Sequence, residues 1–215
     1  MTVKRTRAAV AAAVLSILTL AGCAVPGLGE PGVAVEYGDR VVTYGDLEMV
    51  ASALDGLGSI DNPGEAATLA LLGPSAVEIA AAYGFEYDDD SMRSQALLWQ
   101  SAEQRQTQTE PTEDMKLVVF WVLALTFCHF SEEASEELFA VIEDVEATAV
   151  TSPRVGEFTA QNYLTALSQV GTEYNNRGAE FGPAAFIFFA NLNGFYSALP
   201  PTDWTSFRED ADAVA

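Results

Sequence analysis

The chain has 215 residues, with 31 Asp and Glu against 10 Lys and Arg, a formal charge of −21 and one histidine. A charge of that sign excludes nucleic acid as a partner and is repelled by anionic lipid headgroups. Because 49% of the residues are hydrophobic and the acids are dispersed, a packed core under an acidic exterior is expected rather than a disordered acidic tail.

Lys4, Arg5 and Arg7 precede an uncharged run from Ala8 to Gly22. A basic segment followed by an apolar one reads as a secretion signal, too short for the roughly 20 residues of a spanning helix. The run ends in Leu20-Ala21-Gly22-Cys23, which resembles the bacterial lipobox, where cleavage falls just before a cysteine that has received a diacylglyceryl group. An ordinary signal peptide cut nearby, with Cys23 a free thiol, is the alternative. Residues 1–22 are therefore expected to be a lipoprotein signal peptide, and Cys23 the lipidation site. Two or more acyl chains hold firmly, since each buried CH₂ contributes about 0.8 kcal/mol and a single chain is marginal. Removal of the signal leaves 7 basic against 31 acidic residues, a charge of −24. With Cys23 acylated, Cys128 has no disulfide partner. Residues 23–32, rich in Pro and Gly, suit a flexible tether. The protein is thus expected on the extracytoplasmic face of a bacterial membrane, lipid-anchored.

From Val33 the chain reads as two β-rich runs, Val33 to Tyr37 and Arg40 to Thr43, around Gly38-Asp39, a hairpin signal of type II′. Thr43 and Asp46 open a helix with Leu47, Val50, Ala51 and Leu54 on one face, stopping near Gly56 and Gly58. Residues Gly64 to Gly73 predict a short apolar helix halted by Gly73-Pro74. Ser75 and Glu78 then read as a capping box opening a second helix, through Tyr83, with Gly84 as its stop. Asp88-Asp89-Asp90 and Ser91 cap a further helix carrying Trp99, and the polar stretch from Ser101 to Asp114 is a loop or a frayed helix end. Leu117 to Cys128 is apolar on every face and too short to span a bilayer, so it predicts the central core helix. Ser131 caps an amphipathic helix with Leu138, Phe139, Val141, Ile142 and Val145 inward. Ala147 to Gly156 predicts a late strand halted by Pro153, and "EFTAQNYLTALSQV" one more helix.

Three of these stretches resemble the N-terminal domain of the bacterial extracytoplasmic chaperones SurA and PrsA, which is related to the C-terminal chaperone region of trigger factor. They are Val33 to Leu47, with Gly38, Val42, Thr43, Asp46 and Leu47 matching; Ala80 to Asp90; and Ala147 to Gly156, ending in Pro-Arg-x-Gly. Tyr37 stands where the family has Asn. The resemblance implies a mainly α fold with a small β-hairpin and a late strand pairing with it, over residues 33–158. Residues 159–215 would form an aromatic helical extension packed on that domain. It further implies a chaperone-like holdase that binds unfolded or nascent secreted proteins without catalysis. There is no room for a parvulin isomerase module; several SurA-like lipoproteins lack one. An accessory subunit docking on one specific envelope complex is the alternative.

Chemistry is sparse. Cys128-His129 is the one adjacent pair that suggests nucleophilic catalysis, but consecutive helical side chains point about 100° apart. Asp88-Asp89-Asp90 lacks the ligand spacing of a calcium loop. There is no HExxH, GxSxG, CxxC or Walker loop. Neither a catalytic residue, a cofactor nor a metal is expected, an enzyme with Asp, Glu, Ser or Tyr gathered only by tertiary structure being the third alternative. The stretch from Ala184 to Leu199 carries the candidate client or partner surface, Phe186, Phe188, Phe189, Phe195 and Tyr196, because one packed helical face would leave some of its rings over. The alternative is that it completes the core.

Overall fold

The computed structural model describes residues 32–59 and 63–196. The expected signal peptide, Cys23, the expected tether up to residue 31, residues 60–62 and everything from residue 197 onward lie outside the described residues. Pairing starts at Gly38-Asp39, where strands β1 (Val33–Tyr37) and β2 (Arg40–Thr43) run antiparallel from Tyr37 opposite Arg40. Of the two turn residues only Gly38 has positive φ, +60°, as a type II′ turn requires. Between Val33 and Val35 the register slips by one, so Ala34 forms a bulge. The late strand does pair with the hairpin: β3 (Val150–Thr151) lies on the other side of β1, giving the order β2-β1-β3. It is much shorter than the sequence implies. Ala147 and Thr148 stay helical, with the Thr148 hydroxyl donating to the Asp144 carbonyl one turn back, and the chain turns at Ser152.

Helix α1 (Tyr44–Gly56) opens at Thr43 as expected, and the cap is a full capping box. The Asp46 N–H donates to Thr43 Oγ1 at 3.2 Å, while Asp46 Oδ2 accepts the Thr43 N–H at 2.7 Å. The next stretch corrects the reading made from Gly73-Pro74. One continuous helix, α2 (Pro63–Ala82), carries Pro74 inside it. A proline there removes one helical hydrogen bond and disturbs the carbonyls a turn before it. Arg40 braces this turn, donating to the Leu71 carbonyl, next to the Ala70 carbonyl that Pro74 leaves without its helical partner, at 3.0 Å and to Ser75 Oγ at 2.9 Å, with Glu78 3.8 Å from the same guanidinium. Ser75 and Glu78 are therefore partners of Arg40 and not a helix start. Gly73 permits a close approach: a Cβ there would lie 2.6 Å from Trp121 Cγ.

Helix α3 (Asp89–Trp99) begins at Asp88, whose carboxylate accepts the Ser91 N–H at 2.8 Å. The polar stretch after it contains a six-residue helix, α4 (Ala102–Thr107), capped by Ser101. Helix α5 (Glu113–Phe130) then contains the all-apolar run and packs against α1, α2, α3 and α6 (Glu132–Thr148). Ser131 ends α5 and caps α6, and the axis turns by 113° there. By length and composition α2 resembles a membrane span, yet most of it is buried in the body, as befits a core helix.

After β4 (Glu157–Phe158), helix α7 (Ala160–Phe181) runs eleven residues past the stretch read from sequence. It turns Tyr163, Ala166 and Val170 inward. A 3-10 segment (Gly182–Asn191) and β5 (Phe195–Tyr196) follow, β5 pairing with β4. The end of this segment grips α2: the Gly194 N–H donates to the buried Thr68 hydroxyl at 2.8 Å, which itself donates to the Gly64 carbonyl. Side chains from both halves of the chain share one hydrophobic cluster.

Candidate functional site

The aromatic stretch does not assemble the surface expected of it. Phe188, Phe189 and Phe195 are buried, Phe186 is partly buried against the core, and of the five candidates Tyr196 alone is open, at 68%. Two local facts explain the correction. The segment winds as a 3-10 helix of three residues per turn, so an α-helical projection misassigns its faces. It also fills the space between the end of α5 and α7, where rings meet rings. Phe189 lies 5.8–6.0 Å from the rings of His129, Phe130 and Tyr174, Phe188 packs edge-on against Phe181, and Phe195 against Phe158. Outside this stretch the most exposed ring among the described residues is Phe130 at the α5–α6 bend, 64% exposed.

The cysteine–histidine pair diverges. Cys128 is fully buried and its thiol donates to the Ala76 carbonyl at 3.6 Å; burial pushes it up to about 11, so it stays protonated and unreactive. His129 turns the other way, its Nε2 2.8 Å from the hydroxyl of fully buried Tyr163, inside a ring of Phe139, Tyr163 and Phe189. Burial lowers the imidazole to about 4 and raises the phenol of Tyr163. A neutral imidazole beside a neutral phenol, with no carboxylate joining them, is a hydrogen-bonded core pair rather than a base aimed at a nucleophile.

In the acid run, Asp88 is a helix cap and Asp89 pairs with Lys116 Nζ at 2.7 Å. No three of His, Cys, Asp and Glu converge as metal ligands among the described residues. Helix α6 presents seven exposed acids, among them Glu132, Glu133, Glu143 and Glu146, and no base. At its C-terminal end a cleft of about 360 Å³ opens between α6, β3 and β4. Val145, Ala149 and Phe158 form its apolar side, Thr151 and Thr159 bring hydroxyls, and Glu146 and Glu157 bring carboxylates. Sequence reasoning names Val145 only as a core position, puts Ala149 and Thr151 in the expected late strand, and assigns none of these residues to a site. The available signal was the Pro153 turn between two β-prone dipeptides, which marks two strand ends but not the gap between them.

No protein-family model matches the chain, and neither a curated protein nor a solved structure gives a significant match.

Proposed function

We propose that this chain is an acylated lipoprotein, held through Cys23 on the extracytoplasmic face of a bacterial membrane, whose SurA-like helical body binds non-native or nascent secreted chains as a holdase and catalyses no reaction. The observation that carries the reading is the sequence Leu20-Ala21-Gly22-Cys23 behind a basic, then apolar, segment and ahead of a Pro/Gly tether. A hairpin that pairs with a late strand, β1 with β3, agrees with the resemblance. The lipid carries the attachment alone, because the acidic body gains nothing from anionic headgroups.

One observation favours a second reading, a non-catalytic subunit that docks on one specific envelope complex. Phe188, Phe189 and Phe195 are core, so the broad apolar surface a general holdase uses is not supplied by that stretch. The two readings part in one experiment: the full lipidated chain in nanodiscs is added at stoichiometric ratio to three unrelated unfolding proteins, at low and moderate salt. Slowed aggregation of all three supports the holdase. Protection of none, by a cooperatively folded protein, transfers the assignment to the docking subunit, which crosslinking in the native envelope would then identify by one dominant partner. Intact mass checks the anchor: the membrane-extracted protein should exceed the Cys23-to-Ala215 polypeptide by a lipid increment, and an unmodified Cys23 on mature protein would overturn it.

A further inference from the structure

We infer that the cleft between β3 and β4 takes an extended, basic segment of another polypeptide as an added strand bridging the two small sheets. The inference rests on the reading that this protein binds other chains, and it supplies a place and a chemistry for that binding. The argument comes from hydrogen-bond parity. In an antiparallel ladder, residues alternate between those that exchange bonds with their partner and those whose N–H and C=O point away from it. The Ser152 N–H donates to the Ala34 carbonyl at 2.9 Å, with Thr151 opposite Val35. Ser152 therefore belongs to the first class, and Thr151 directs its backbone groups to the open side of β3. The same count applies to β4. The Thr159 N–H donates to the Gly194 carbonyl at 2.9 Å, with Phe158 opposite Phe195, so Phe158 directs its backbone groups away from β5.

Thr151 and Phe158 both line the one cleft. Among the described residues β3 is an outer strand of its sheet, β4 has β5 as its only ladder partner, and the two do not pair with each other. The turn between them is tied by the N–H groups of Val155 and Gly156, both donating to the Ser152 carbonyl, which keeps the two edges close. Open edges are templates for strand addition, in which main-chain hydrogen bonds supply affinity and alternate side chains supply selectivity. The charge of the lining chooses the occupant. Glu146 and Glu157 are exposed on the cleft walls, and among the described residues no basic side chain lines it, Arg154 lying in the turn that joins the two strands. A strand with Lys or Arg on one face and small apolar residues on the other would set its cations at these carboxylates and its apolar side over Ala149, since Val145 and Phe158 are buried and leave little apolar surface in a mostly polar lining. The net negative charge of the body would steer such a segment in.

The test uses an end-capped hexapeptide alternating Val and Lys, titrated onto the full lipidated chain in nanodiscs, with hydrogen exchange read over residues 149–159. Binding with new protection there is expected. The same peptide with alternate amides N-methylated should bind at least tenfold more weakly, since it keeps its side chains but cannot pair, and a Val-Glu peptide should not bind. The double variant Glu146→Gln/Glu157→Gln alters only exposed groups. It should weaken the Val-Lys peptide about tenfold and flatten its salt dependence, and Thr151→Pro, which removes an outward N–H and leaves the ladder to β1 intact, should weaken it as well. Equal binding of the N-methylated peptide, protection centred elsewhere such as around Phe130, or no binding at all would each overturn the inference. Failure here with aggregation protection intact removes the cleft and leaves the holdase reading standing. Peptide binding at the cleft by a protein that protects nothing supports the cleft and counts against the holdase.

Discussion

The α2–α5 pair and the C-terminal shell solve the same packing problem with opposite materials. α2 meets α5 through small groups, with Gly73 beneath Trp121 and Ala76 against Cys128, so two backbones come close over several turns. The shell of α7 and the 3-10 segment holds fewer, larger pieces: Tyr163, Tyr174, Phe186, Phe188 and Phe189, around His129 and Phe130. A contact surface made of many small groups loses little when one is deleted and has no room for one more. A surface made of rings behaves the other way, because each ring removed leaves a cavity bounded by several neighbours.

Deletion in the shell should therefore have the largest effect. Phe189→Ala removes a ring 3% exposed that touches His129, Phe130 and Tyr174, and is expected to cost about 3–5 kcal/mol. Urea unfolding followed by circular dichroism measures it. A loss under about 1 kcal/mol would mean that the shell collapses to fill the gap, and the contrast with α2–α5 would fail.

Acid probes the same shell without a mutation. Burial sets His129 at about 4 in the folded protein against an ordinary value of 6.5, so between those values the unfolded chain binds the extra proton. Stability is then complete above pH 6.5 and falls as the pH drops toward 4, by about 3 kcal/mol from this group alone. Many carboxylates titrate near the lower end, so the informative quantity is a difference. His129→Gln should be less stable than the parent at pH 7.5, having lost packing, and should shed less stability on going to pH 4.5. Parallel pH profiles for the two proteins would place the imidazole in water.

The two regions also differ in how far sequence reading reached. Hairpin, caps and the α5 core run were legible because their determinants are local: Gly38-Asp39, the Thr43–Asp46 box, Asp88 and Ser131 each act within four residues of the structure they define. Gly73-Pro74 misled because the contacts that brace this turn are distant in sequence: Arg40 lies 31 residues from the Leu71 carbonyl it bonds, and Trp121 packs over Gly73. The aromatic stretch misled because a 3-10 winding and an α-helix project the same rings differently, and tertiary packing selects between them. The candidate surface failed with it. The cleft was invisible for another reason: it follows from the parity of two ladders, β1–β3 and β4–β5, neither of which has a register until the fold exists.

Addition in the small-group region comes next in size. Gly73→Ala places a methyl within 2.6 Å of Trp121 Cγ. Helix propensity alone favours alanine by about 1 kcal/mol, so a stabilised variant would show that Trp121 moves aside freely. Overpacking is expected to prevail, with a net loss of about 1–3 kcal/mol. Trp121→Leu in the same chain should recover part of it, since the clash is with the indole.

The smallest effect lies two-thirds exposed at the end of the same aromatic stretch. Phe195 and Tyr196 are consecutive in β5, so strand geometry sends them to opposite faces, Phe195 onto Phe158 and Tyr196 into water. Tyr196→Ser should change stability by no more than about 0.5 kcal/mol, while Phe195→Ser leaves a buried hydroxyl and a cavity and should cost several times that. The tyrosine backbone pairs with Glu157, whose carboxylate lines the cleft, so the variant separates two roles for this strand. If Tyr196→Ser leaves both stability and binding of the Val-Lys peptide unchanged, β5 serves the cleft only by holding β4 in register. A loss of peptide binding at unchanged stability would instead extend the binding surface across β4 to the exposed face of β5.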